Sequence, residues 1–110
     1  MLMFPKQSTL QDKKHITWIK TLPCILTGTN EVECCHIREG ENAGLGRKPS
    51  DEMTVPMHYL LHKAQHAAGS ESKFYAAHGY SLKEVKQLAR DLYAVSGNTD
   101  KALEIIARFR

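Results

Sequence analysis

His62 and His66 stand four residues apart in the stretch His62-Lys63-Ala64-Gln65-His66, which holds strong helix formers and neither Gly nor Pro. On a helix that interval stacks two imidazoles on one face, where they can share one divalent cation. Just upstream lie Cys34-Cys35-His36-Ile37-Arg38 and the Ser50-Asp51 turn. The expectation is that Cys35 or His36, carried on a strand, meets the helical pair across a metal. It requires the imidazoles of positions 36, 62 and 66 to face one pocket.

A chain of 110 residues has enough length for one domain with one modest core. Its apolar share of 42% with 25% charged residues is that of an ordinary globular protein. The net charge of +3 permits nucleic-acid binding without demanding it. No apolar run approaches membrane-spanning length, and no signal-peptide core opens the chain. Three cysteines, two of them adjacent, make a disulfide framework a poor reading. A reducing compartment fits them better. The expected location is the cytoplasm of a bacterium or phage-infected host.

Residues 1–22 read as an irregular arm followed by a helix over Gln11–Leu22, which Pro23 stops because its ring cannot continue the ladder. Ile16, Ile19 and Leu22 face a core; Lys13, Lys14 and Lys20 face water. The lone Trp18 is read as packing on the next element. Cys24-Ile25-Leu26-Thr27-Gly28 has the outline of a zinc knuckle, with Thr27 at the second cysteine. A hydroxyl is a poor zinc ligand, so Cys24 is read as a buried small side chain. Glu33–Arg38 reads as a strand, and residues 39–50 as a glycine-bearing loop with Arg47 and Lys48. Met53-Thr54-Val55, ending at Pro56, reads as a second strand pairing with the first. Helices follow over His58–Ala68, closed by Gly69, and over Glu71–His78 with Phe74 and Tyr75 inward. Ser81-Leu82-Lys83-Glu84 is a capping box, and it opens a helix striped by Leu82, Val85, Leu88, Ala89 and Leu92. The last helix, Thr99–Phe109, is expected to bury Leu103 and Ile106. His15, His58 and His78 fall in no pattern and are read as structural.

Strand, loop, strand and helix, with histidines on the first strand and the helix, is the ββα-metal plan. The run Cys34-Cys35-His36-Ile37-Arg38-Glu39, then Gly46-Arg47-Lys48-Pro49-Ser50-Asp51, then Met53-Thr54-Val55-Pro56-Met57, then His62 and His66, resembles the HNH nuclease superfamily. It is similar, more narrowly, to the phage and prophage branch that includes Ref- and YbcO-type nucleases. The resemblance covers residues 23–80, about half of the chain. It implies an α+β fold with a ββα-metal core over 23–69, flanked by the N-terminal arm and helix (1–22) and by C-terminal helices (70–110). It implies His36 as general base, Asp51 as the residue that orients it, and His62 and His66 as metal ligands with Cys35 completing the site. A knuckle of the kind common in the superfamily would need cysteines at Thr27 and Leu61, and His58 replaces another.

Each residue also has a plainer reading. His62 and His66 alone would be a polar helix face, and the upstream motif is what favours ligation. Cys35 is equally a buried thiol, and Asp51 is equally a turn cap. Arg38, Arg47 and Lys48 are either solvated charge or phosphate contacts. The expected function is hydrolysis of DNA phosphodiester bonds with one divalent ion, zinc or magnesium, in phage-associated DNA recombination or processing, with recombination proteins as partners. The alternative is a zinc-stabilised DNA-binding module without catalysis.

Overall fold

The computed structural model describes residues 12–40 and 50–110. The element order is α1 (Lys13–Ile19), β1 (Val32–His36), β2 (Thr54–His58), α2 (Tyr59–Ala67), α3 (Glu71–Ala77), α4 (Leu82–Ala94) and α5 (Thr99–Phe109). This is an α+β arrangement: one two-stranded antiparallel sheet and five helices among the described residues.

Asp12 starts α1, its side chain accepting the His15 N–H at 3.0 Å. Such a cap satisfies one of the donors a helix leaves unpaired at its start. The helix ends at Lys20, earlier than a stop at Pro23 would place it. The Thr21 N–H bonds the Trp18 carbonyl instead, and the following turn still carries Leu22 into the core. The expected arm over residues 1–10, and Gln11 with it, lies outside the described residues.

Val32 pairs with His58, Cys34 with Pro56 and His36 with Thr54. The second strand therefore runs through Pro56, where the sequence reading ended it. A proline is tolerated in a ladder where its missing N–H would point away from the neighbouring strand. Pro56 meets that condition, because its carbonyl points outward and accepts the Ile25 N–H at 3.1 Å. His58, read as structural, caps α2: its Nδ1 accepts the Leu60 N–H at 3.2 Å. Gly69, at φ +85, ends the turn after α2 in a conformation that favours glycine.

Both bonds of the Ser81–Glu84 capping box are formed. Val85, Leu88, Ala89 and Leu92 are buried as their spacing requires, together with Phe74 and Tyr75 of α3. In α5 the buried residues are Ala102 and Ile106, and Leu103 is 43% exposed. Ala102 and Ile106 are one turn apart on the inner face, and Leu103 lies a further 100° or so around the helix. The core joins Ile19, Leu22 and Ile25 to Ile37, Val55 and Met57 of the hairpin and to the α4 stripe.

Candidate functional site

Side chains of a strand alternate between its two faces. On β1 this sends Glu33 and Cys35 one way, and Cys34 and His36 the other. The contacts follow that parity. Glu33 bonds His62 of α2, and Cys35 lies 3.7 Å from Gln65 and 3.8 Å from the Tyr75 hydroxyl. Cys34 faces Thr54, Asp51 and Lys20, and His36 bonds Asp51.

On the second of these faces, His36 Nε2–H donates to Asp51 Oδ1 at 2.8 Å. A carboxylate can only accept here, so Nε2 carries a proton, and the neutral ring has its lone pair on Nδ1. The other oxygen, Oδ2, accepts the backbone N–H of Asp12 at 2.7 Å. Thr54 Oγ1–H donates to the Asp51 carbonyl at 3.0 Å. Asp51 is thus fixed by its own turn, by β2 and by the start of α1. Both side chains stay partly open to solvent, at 26% for His36 and 16% for Asp51. The network runs on: the Tyr93 hydroxyl of α4 donates to Asp12 Oδ2 at 3.2 Å.

On the first face, His62 Nδ1–H donates to Glu33 Oε1 at 2.8 Å. His62 Nε2 then meets His66 Nε2 at 3.0 Å, with the rings 4.7 Å apart. Two imidazole nitrogens on one tetrahedral zinc stand about 3.3 Å apart, so this pair is set within a few tenths of an ångström of that need. A carboxylate behind the far ring nitrogen is also what metal-bound histidines ordinarily have. The two histidines suit a cation in donor type and spacing, with Glu33 behind His62. Among the described residues, however, no three His, Cys, Asp or Glu side chains converge on a point where one ion could sit.

Cys35 is fully buried, and burial pushes its thiol up to about 12. Its sulfur lies against Gln65 of α2 and Tyr75 of α3, where it fills space between the two helices. The sequence-predicted residues therefore form two pairs, His36 with Asp51 and His62 with His66, instead of one cluster. Arg38 is exposed and lines a cavity of about 260 Å³ with Glu39, Gln65, His66 and Glu71. Arg47 and Lys48 lie outside the described residues.

Four participants escaped the sequence reading: Glu33, Glu71, Asp12 and Tyr93. Glu33 was legible by parity, since it sits two residues before Cys35 on the face toward α2. Glu71 is buried and accepts the backbone N–H groups of Arg38 (2.9 Å) and Glu39 (2.6 Å), which fixes the chain leaving β1. No local pattern announces that contact across 33 residues, nor those of Asp12 and Tyr93.

No helix among the described residues is long and apolar enough to cross a membrane. Comparison with curated proteins and with solved structures gave no match. Residues 1–96, everything up to the turn before α5, match the family described as protein of unknown function DUF968. Because the match takes in both pairs and all but the last helix, the chain belongs to the DUF968 family.

Proposed function

We propose that this protein is a metal-dependent hydrolase of DNA phosphodiester bonds, built on a ββα-metal core of HNH type. The observation that carries the reading is the His36–Asp51 pair. A partly exposed imidazole, locked in one tautomer by a carboxylate that is itself pinned by a backbone N–H, is what a general base requires. His36 takes a proton from the attacking water through Nδ1. Asp51 holds the ring in place and favours the imidazolium that results. His62 and His66, backed by Glu33, would hold a divalent ion, whose chemistry is to neutralise phosphate charge. The pair lies on the opposite face of β1 from His36, so this reading requires DNA that reaches both faces. Arg38, at the cavity beside His66, contacts a neighbouring phosphate. Cys35 is left to the core. The resemblance of the hairpin and helix motifs to phage HNH nucleases supports a role in phage DNA recombination or processing.

The test is nicking of supercoiled plasmid DNA by the full chain with magnesium, manganese or zinc. His36→Ala is expected to lose at least about two powers of ten in rate with an unchanged circular-dichroism spectrum. Full activity in that variant defeats the assignment.

A second reading has its own observation. Strand parity puts His36 and the histidine pair on opposite faces of β1, which favours a DNA-binding module in which the pair takes no part in chemistry at His36. Binding of DNA without cleavage under every metal supplied selects it.

A further inference from the structure

One face of α1 takes no part in either pair. Lys13, Lys14, Thr17, Trp18 and Thr21 line a groove of about 390 Å³ along it. Positions 14, 17 and 18 follow the three- and four-residue steps of a single helical stripe, and Thr21 lies in the turn that follows. Lys13, Lys14, Thr17 and Thr21 are exposed and Trp18 is half-buried. No carboxylate is among the described residues that line it. The indole is fixed in place: its N–H donates to Thr99 Oγ1 at 3.2 Å, and its ring lies 5.5 Å from that of His15.

We infer that this face of α1 binds single-stranded DNA, with Lys13 and Lys14 on the phosphates and an unpaired base against Trp18. The inference deepens the hydrolase reading by naming the form of its substrate, and it takes the choice of DNA from that reading. Two ammonium groups beside an aromatic surface suit a polyanion that also offers flat rings. An apolar peptide would strip water from both lysines with nothing to compensate them. A duplex would engage the lysines and leave the indole without a base, because its bases are already stacked within. Only the unpaired strand uses both features. The surface is also tied to the dyad, since the Asp12 N–H at the start of α1 bonds Asp51.

Trp18 is the chain's only tryptophan, so its fluorescence reports from the groove itself. The experiment titrates the full chain, in EDTA, with oligothymidylate and with a blunt duplex of equal length. Saturable quenching by oligothymidylate, weakening with salt, and little quenching by the duplex is the expected result. Lys13→Gln with Lys14→Gln should lower the slope of log K against log salt by about 1.4, at about 0.7 for each single-strand phosphate contact. Trp18→Ala should weaken binding of a labelled oligonucleotide about tenfold, and Trp18→Phe much less. Absent quenching, equal quenching by the duplex, or an unchanged salt slope in the lysine variant overturns the inference. Because the assay contains no metal, its failure is separable from that of the hydrolase: plasmid nicking without quenching removes this surface alone, and quenching without nicking removes only the chemistry.

Discussion

The two faces of the hairpin hold histidines in different ways. His36 is held by a carboxylate that is anchored in turn to α1, and Tyr93 of α4 braces that anchor. His62 and His66 are held against each other, at the exposed end of α2, with Glu33 behind one of them. In the first arrangement the protein alone fixes the ring, through Nε2, and Nδ1 stays open. In the second, one proton between two nitrogens does a job that a cation sharing both lone pairs would do better. One face is therefore finished without a ligand, and the other is organised for one.

The largest expected effect decides whether the faces act together. His36→Ala, His62→Ala and the double variant form a cycle read by plasmid nicking. If the dyad and the ion serve one reaction, each single variant costs at least about a hundredfold. The double variant is then little worse than the poorer single one, as happens when groups work as a unit. If the ion is structural, His62→Ala lowers the melting temperature and leaves the rate of the folded fraction unchanged. The two patterns do not overlap.

A smaller effect separates Glu33 from Cys35, two residues apart on the same strand face. Glu33→Gln weakens the partner of His62 and is expected to reduce zinc affinity about 10- to 100-fold, measured by competition with a chromogenic chelator. Cys35→Ala removes a buried side chain between Gln65 and Tyr75. It should cost about 1–2 kcal/mol in urea unfolding and leave zinc affinity unchanged. Zinc affinity that falls with Cys35→Ala and holds with Glu33→Gln would return the third ligand to Cys35.

These contrasts mark what could be read in advance. Local signals were reliable: the Ser81–Glu84 box, the α4 stripe and the four-residue histidine interval all depend on neighbours in sequence. Strand parity was available too, and it separates His36 from Cys35 before any coordinates are seen. Other features depended on tertiary position. Pro56 inside β2 is acceptable only because its bare nitrogen faces outward, and Leu103 lies off the α5 face on which Ala102 and Ile106 are buried. Asp12 meets Asp51 across 39 residues. No periodicity encodes which backbone N–H will find a carboxylate that far away.

The smallest expected effect concerns the support behind the finished face. His15 is buried, its Nδ1 lies 2.7 Å from Ser96 Oγ, and its Nε2 has no partner among the described residues. Burial lowers its tendency to take a proton, against the pull of Asp12 and Asp51, and the Tyr93 ring closes the site edge-on at 4.7 Å. Its folded value therefore lies below the ordinary 6.5 of the unfolded chain. As pH falls through 6.5 the unfolded state binds the proton first, so stability declines from neutral pH and levels off below the folded value. His15→Phe keeps a ring against Trp18 and Tyr93, removes the partnerless nitrogen, and leaves the exposed Ser96 to water. The difference in unfolding free energy between the two proteins should then grow in favour of the phenylalanine variant as pH drops from 7 toward 5. A constant difference over that range would mean that His15 titrates alike folded and unfolded, and that burial at this position imposes no cost on its charge.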